Sequence, residues 1–337
     1  MIEIEKSSLM TKVTITDVAN EVGISKTTVS RYLNGQYNRI NINTQHAIQE
    51  AIDALGYVPN QQARSLKLKE SHLIGLVIAD MANTYSSHLI SGIQNVFRQQ
   101  GYSLMIFDSA NIVEQEKHAL NQLLAANVDG LILQPLVKNS DQYQFLSERN
   151  VPVVLVDRQT EPQIWPSVTS DNFNASKNMA KILLDKQYKQ VIFLDSHGEN
   201  PWTNQLRYDG IASITSRSDM DLTYVQVEMA DFTPLAAVLD AHHGPAPVIF
   251  AANGELLLKC LSWLKSQQIA VPTDVAVTGY DDSTLGDLIT PGITGVVQNP
   301  QVLGETTANS ILNHIKQKSK IVDQIEIPSQ IIERASC

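Results

Sequence analysis

The chain has 337 residues, of which 43% are hydrophobic and 18% charged, so it can form two or three compact units and is too apolar to be disordered. No stretch approaches the roughly 18 consecutive apolar residues of a membrane helix, and the first ten residues contain no signal-peptide core, which predicts a cytoplasmic protein. The net charge is −10, but the first 70 residues hold eight Lys/Arg and seven Asp/Glu, so local contact with DNA is permitted there.

The first patterned segment, residues 13–34, predicts two short helices joined by a tight turn. Apolar residues recur at helical spacing on both sides of Gly23. Thr16 and Ser25 are each placed as N-caps, since a side-chain oxygen there can accept from the free N–H groups of the first turn. In such a helix-turn-helix the second helix enters the major groove of DNA.

The second of these helices has a polar face suited to DNA. Hydroxyl groups at its start can bind phosphate oxygens, and Arg31 can offer two donors to guanine. The contacts predicted for this segment are Thr14, Ser25, Lys26, Thr27, Thr28, Ser30, Arg31 and Asn34. The alternative is an amphipathic hairpin whose polar residues only face water.

Two further segments complete the first part of the chain. Residues 43–55 predict a third helix with one apolar face, which closes a small core. Pro59 can begin a short helix that runs through residue 69, because proline lacks the N–H that would be unsatisfied there. The alternative for residues 59–70 is a solvated tether.

Three motifs in this region resemble the lactose/galactose repressor (LacI/GalR) family. They are T-I-x-D-V-A from Thr14, G-I-S-K-T-T-V-S-R-Y-L-N from Gly23 and L-G-Y-x-P-N-x-x-A-R-S-L from Leu55. The resemblance implies a DNA-binding domain at 13–58, a hinge helix at 59–70 and an effector-binding and dimerisation domain at 71–334. It divides the last into lobe 1 (about 71–168 plus 299–325) and lobe 2 (about 169–298 plus the C-terminal end).

The resemblance also implies how DNA is bound. Two subunits would pair on a palindromic operator, with Leu66 as an apolar wedge in the minor groove and Ala63 beside it. Tyr57 and Asn60 would add contacts to the DNA. The loop at 35–42 is one residue longer than is usual in the family.

From residue 73 onward, apolar strands alternate with amphipathic helices. The predicted strands are 73–79, 103–107, 130–134, 153–157, 190–195, 222–227, 247–252 and 274–280. This alternation is typical of two doubly wound parallel sheets covered by helices. The predicted fold class is therefore α + α/β: a three-helix DNA-binding domain followed by two lobes of the periplasmic-binding-protein type.

Polar residues follow these strands, where ligands bind in parallel α/β sheets. Amides, carboxylates and guanidinium groups near an aromatic ring are what a polyhydroxylated ligand requires. The resemblance implies that the effector is bound by Tyr85, Gln134, Asp157, Arg158, Arg207, Phe232, Asn253, Asp281 and Gln298.

One departure from the family affects the effector. Asn253 is followed by Gly254, where the family usually has aspartate. Since Arg158 and Arg207 are both available, we expect a sugar acid or sugar phosphate, while a neutral sugar remains the alternative.

Other classes of function are less consistent with the sequence. No dinucleotide fingerprint follows the strand at Leu73, and no P-loop, nucleophile elbow or H-E-x-x-H motif occurs. We therefore expect no enzyme, catalytic residue, cofactor or metal. A periplasmic sugar-binding protein would not explain residues 13–66. A global catabolite regulator that responds to a phosphorylated partner protein is the remaining alternative to a sugar-controlled homodimeric repressor.

Overall fold

The computed structural model describes residues 13–58, 71–196, 201–228, 231–280, 285–317 and 322–337. The chain divides into two compact units, Met1–Ser71 and His72–Cys337. The hinge predicted at 59–70, with Asn60, Ala63 and Leu66, lies outside the described residues, and so does Asp281. Among the helices that are described, none is both long and apolar enough to cross a membrane.

The smaller unit is the three-helix domain expected from the sequence. Its helices are α1 (Ile15–Val22), α2 (Lys26–Leu33) and α3 (Ile42–Leu55), with a short 3-10 turn at Tyr37–Arg39. Gly23 ends α1 with φ of 72°, a left-handed conformation that glycine adopts without strain. Val18, Val29 and Ile48 are completely buried and form the centre of the core.

The cap predicted at Thr16 is wrong, because α1 begins one residue earlier and is capped by Thr14. The backbone N–H and the hydroxyl of Thr14 both donate to Asp17 Oδ2 at 2.7 Å, and these bonds lower the pKa of the Asp17 carboxyl. A capping box needs an acidic residue three positions after the cap, a spacing that Thr14 has and Thr16 lacks. Ser25 caps α2 as predicted, since its Oγ accepts from Thr28 N–H at 3.2 Å.

The larger unit alternates strands and helices throughout. In chain order its elements are β1 (Leu73–Ile78), α4 (Thr84–Gln100), β2 (Ser103–Asp108), α5 (Val113–Ala125), β3 (Gly130–Leu133), α6 (Gln144–Glu148), β4 (Val153–Val156), β5 (Ser167–Ser170), α7 (Asn172–Asp185), β6 (Gln190–Ser196), α8 (Pro201–Thr215), β7 (Asp221–Val227), α9 (Thr233–Asp240), β8 (Val248–Ala251), α10 (Gly254–Ser266), β9 (Ala276–Gly279), β10 (Gly295–Val297), α11 (Pro300–Gln317), β11 (Gln324–Ile327) and β12 (Gln330–Ile332).

These elements form two parallel sheets, as the sequence predicts. The first sheet has the order β11-β5-β4-β3-β1-β2 and the second β7-β6-β8-β9, and every neighbouring pair in both is parallel. Each sheet has an apolar core on both faces, because its central strands are covered by helices on either side. Cys260, interpreted as a core residue, is fully buried on α10, and burial raises the pKa of its thiol to about 12.

The sequence reading missed four short strands. β5 and β11 complete the first sheet, and β10 and β12 pair antiparallel beside the second. The chain crosses between the sheets three times, from β5 to α7, from β10 to α11 and from β11 to β12. A cleft between the two sheets is therefore bounded on one side by crossing segments.

The first sheet depends on a close contact between α4 and α11. A Cβ at Gly92 would lie 2.2 Å from the carbonyl oxygen of Gln301, and a Cβ at Gly304 would lie 2.3 Å from that of Leu89. Glycine at both positions lets the two helix backbones touch. Since backbone cannot move aside as a side chain can, any substituent must separate the helices.

We predict that Gly92→Ala lowers the free energy of unfolding of the larger unit by about 1–3 kcal/mol, the usual cost of overpacking. Urea denaturation followed by circular dichroism measures this change. Ser91→Ala, at the exposed neighbouring position, is the matched control and should differ little from the wild type. Equal stability of the two variants would contradict the close contact.

Candidate functional site

The cleft between the two sheets is centred on a hydrogen-bonded carboxylate. Asp157, which follows β4, accepts from the hydroxyl of Tyr85 at 2.7 Å and from Nε2 of Gln134 at 2.8 Å. Gln134 in turn accepts from the backbone N–H of Ala79 at 2.9 Å. The three side chains are buried: Asp157 follows β4, Gln134 follows β3, and Tyr85 lies at the start of α4, the helix after β1. They meet because the carboxyl ends of parallel strands lie at the same edge of a sheet.

Asp157 also has an unusual backbone conformation. Its φ is 65°, a region that residues with a Cβ occupy at a cost. Its N–H donates to the carbonyl of Val168 on β5, which fixes the chain in this conformation. A strained backbone held this firmly in a cleft is typical of a functional position.

Each nitrogen of the Arg207 guanidinium, on α8, donates a hydrogen bond. Its Nε donates to Asn172 Oδ1 at 2.8 Å, and its terminal nitrogens donate to the carbonyl of Ala252 at 2.5 Å and to Gln298 Oε1 at 3.2 Å. Its guanidinium carbon lies 3.5 Å from the ring centroid of Tyr280. These contacts join α8 to two segments that cross between the sheets and to the end of β8. Arg207 therefore fixes the second lobe against the crossing segments.

Arg158 differs from Arg207 because it is poorly bonded. Among the described residues its Nε has no hydrogen-bond partner, and one terminal nitrogen reaches the carbonyl of Pro135 only at 3.5 Å. Burial lowers the pKa of its guanidinium, while the neighbouring carboxylates of Asp157 and Glu116 oppose that shift. The Nε lies 3.9 Å from the carboxylate of Asp157. Arg158 thus lines the cleft and keeps one donor, Nε, without a partner among the described residues.

The cleft has an empty volume of about 650 Å³. Seven of the nine predicted effector residues line it: Tyr85, Gln134, Asp157, Arg158, Arg207, Asn253 and Gln298. Asp80 and Asn83, which also follow the first strand, lie there too. Its charged residues are two arginines and three acids, of which Glu255 forms an ion pair with Lys259 at 2.6 Å.

Phe232 is not part of this cleft. It is 5% exposed, packs in the core of the second lobe, and stacks on Trp263 with ring centroids 5.5 Å apart. Of the two aromatic residues predicted to bind the effector, Tyr85 lines the cleft and Phe232 does not. Asn253 lines the cleft but also caps α10, because its Oδ1 accepts from Leu256 N–H at 2.9 Å.

The sequence reading missed Asn204, Asn111 and Glu255 in the cleft. Asn204 lies three positions before Arg207 on α8, so helical spacing from Arg207 could have identified it. Its amide donates to Asp195 Oδ1 at 2.7 Å, at the end of β6.

The smaller unit presents most of its predicted DNA contacts on one face of α2. Lys26, Thr27, Arg31 and Asn34 are exposed, and the half-buried Ser30 lies one turn after Lys26. Other members of the set have structural bonds: Thr14 with Asp17, and Ser25 with Thr28, whose hydroxyl oxygens lie 2.9 Å apart.

Tyr57 has a different environment from the rest of the set. It is 9% exposed and packs with the core of the smaller unit, and burial raises the pKa of its hydroxyl. The aromatic ring is therefore part of the core, which leaves little of this residue for contact with DNA.

Comparison with known proteins matches both units. Residues 14–60 match a family model described as bacterial regulatory proteins of the lacI family, and residues 180–337 match a periplasmic-binding-protein-like domain. The HTH-type transcriptional regulator KdgR of Bacillus subtilis is 32% identical over 330 residues, which cover 96% of this chain and 97% of KdgR. The chain belongs to the LacI family.

Two solved structures share the fold of this LacI-family protein. The lac repressor dimer bound to operator and the anti-inducer ONPF has a TM-score of 0.83 at 23% identity, covering 97% of this chain and 99% of that one. A complex of the transcriptional regulator CelR with cellobiose has a TM-score of 0.69 at 22% identity, covering 96% and 100%. The lacI-family match and the similarity to KdgR, rather than these structures, show that the chain is a DNA-binding transcriptional regulator.

The hydroxyl of Tyr85 gives a test of the Asp157 network. We predict that Tyr85→Phe lowers the free energy of unfolding by about 1–3 kcal/mol, because it leaves a buried carboxylate with one donor fewer. Thermal and urea denaturation measure the loss.

Tyr208→Phe is the control for that substitution. Tyr208 is half-buried against Phe193 and Tyr224, and no hydrogen bond of its hydroxyl occurs among the described residues. If Tyr208→Phe lowered the free energy of unfolding as much as Tyr85→Phe does, a special role for the bond to Asp157 would be contradicted.

Proposed function

We propose that this protein is a dimeric repressor of carbohydrate-utilisation genes, and that a sugar-like effector in the cleft between its lobes controls its affinity for operator DNA. The observation that carries the proposal is the cleft itself, which combines carboxylate, amide and guanidinium groups from the strand ends of both sheets. Such a set suits a ligand with many hydroxyl groups. The complex of CelR with cellobiose supports a sugar as the class of ligand.

The second helix, α2, is proposed to recognise the operator sequence by contacting base edges in the major groove. Arg31 is exposed in the last turn of this helix, and Lys26 and Thr27 are exposed in the first. A guanidinium can bind guanine O6 and N7 together, whereas lysine and threonine at the helix start suit phosphate oxygens. The dimer bound to operator in the lac repressor structure supports two such helices on one palindromic site.

We predict that Arg31→Ala reduces the preference for operator over scrambled DNA by about tenfold or more. Fluorescence anisotropy with the two duplexes at fixed salt measures the preference. Arg39→Ala, at an exposed arginine outside α2, is the control and should leave the ratio nearly unchanged. Equal weakening of both duplexes by Arg31→Ala would contradict base reading.

The effector is proposed to be a sugar acid or sugar phosphate, and the observation behind this proposal is the environment of Arg158. Its Nε has no partner within the described residues, and a carboxylate or phosphate would supply charge-assisted hydrogen bonds there. Asp157, Asn204 and Asn253 can bind hydroxyl groups of the same ligand. Arg207 is occupied by protein contacts, so we assign it to fixing the second lobe against the crossing segments more than to binding the charge of the ligand.

We predict that Arg158→Met lowers affinity for gluconate-type acids at least about tenfold while changing affinity for neutral hexoses much less. Calorimetric titration of both ligand classes into wild type and variant measures this. Arg149→Met, at an exposed arginine of the same lobe, is the control. Tighter binding of neutral hexoses than of acids by the wild type would contradict an acidic effector.

The switch is proposed to act through residues 59–70. Ligand binding would change how the two lobes close, and so how well the hinge helices with Asn60, Ala63 and Leu66 form on DNA. The alternative of a global catabolite regulator is not favoured, since KdgR is 32% identical to this chain over 330 residues, whereas catabolite control protein A of Priestia megaterium is 27% identical over the same length.

A further inference from the structure

A second cavity adjoins the effector cleft, and Asp157 lines both. Its empty volume is about 450 Å³. One wall consists of residues of β5 and β11 in the first lobe, and the other of residues at the beginnings of α7 and α8 in the second lobe. The two cavities therefore share Asp157 as a wall, and both lie between the lobes.

Thr203 is the residue that points to a ligand in this second cavity. It lines the cavity, is 1% exposed, and its hydroxyl has no hydrogen-bond partner among the described residues. An unsatisfied buried hydroxyl costs free energy that a ligand hydroxyl would recover. The next residue, Asn204, and Arg207 one turn later line the effector cleft. One face of α8 thus serves both cavities.

The rest of the lining suits a sugar ring. Phe173 and Trp202 contribute aromatic rings to the lining, and Nζ of Lys138 in the first lobe lies 3.9 Å from the Trp202 ring centroid. Gln159 and Thr169 add amide and hydroxyl groups on the side of the first lobe. Aromatic faces with a few polar groups are the usual surroundings of a bound sugar-sized ligand.

We propose that this second cavity binds a second sugar ring of the effector, so that the effector is an acidic disaccharide whose charged unit lies near Arg158. The proposal rests on the proposed function, because it extends the same cleft. Closure of the lobes then depends on both units of the ligand, since each cavity has walls from both lobes.

The experiment compares matched ligands by calorimetric titration of the full chain. Gluconate is the single unit, and maltobionate and cellobionate are gluconate with one glucosyl ring added at O4, in α or β linkage. Glucose, maltose and cellobiose form the neutral series. We expect at least one of the two bionates to bind about tenfold or more tightly than gluconate.

Thr203→Val tests the cavity directly, because it keeps the shape of the side chain and removes the hydroxyl. We expect it to reduce the affinity advantage of the bionate over gluconate by about fivefold to tenfold. Thr160→Val is the matched control: Thr160 is also buried with an unpartnered hydroxyl in the described structure, but it lines neither cavity. Phe173→Ala supplies a second variant if Thr203→Val does not fold.

The outcomes separate the two proposals. Tighter binding of gluconate than of both bionates would overturn the second ring and leave an acidic effector in place. If only neutral sugars bind, the acidic effector is contradicted. In that case, tighter binding of maltose or cellobiose than of glucose, with the difference lost in Thr203→Val, would still support the second ring. Equal reduction by Thr203→Val and Thr160→Val would overturn the role of Thr203. Binding of none of the six ligands would contradict both proposals.

Discussion

The guanidinium of Arg207 is the contact on which the organisation of the cleft depends. It bonds to Asn172 and Gln298, which lie on two segments that cross between the lobes, and to the carbonyl of Ala252 at the end of β8, and it stacks on Tyr280. A buried cation has to be satisfied by many acceptors, and here those acceptors come from separate parts of the fold. The second lobe is consequently tied to its own crossing segments at the point where a ligand would lie.

The first lobe reaches the same cleft by a different arrangement. Asp157 holds a strained backbone conformation and receives donors from Tyr85 and Gln134, so its carboxylate is oriented before any ligand arrives. Arg158, the next residue, keeps its Nε donor without a partner among the described residues. A rigid acceptor beside an unsatisfied cation is a preorganised site for a ligand that carries both hydroxyl groups and negative charge. Residues of both lobes thus line one cleft.

Much of this could be predicted from the sequence, and the failures have physical reasons. Continuous apolar runs predicted the eight main strands because strands buried on both faces have no alternation. β5 was missed because its buried residues include Ser167 and Thr169, and β11 because it is a short edge strand. Phe232 was assigned to the ligand, but a large apolar ring gains more by packing on Trp263 in the core. Asn204 belongs to no sequence motif, and its spacing from Arg207 on α8 is the one signal that could have placed it in the cleft.

The central claim is that occupancy of the cleft changes affinity for DNA. The most direct measurement is the dissociation constant of the full-length protein for its operator, determined by anisotropy with and without a saturating ligand from the sugar and sugar-acid series. A two-state switch predicts a change of about tenfold or more, with no such change for Arg207→Ala at the same ligand concentration. An operator affinity that stays the same while calorimetry shows the wild-type cleft to be occupied would contradict the account.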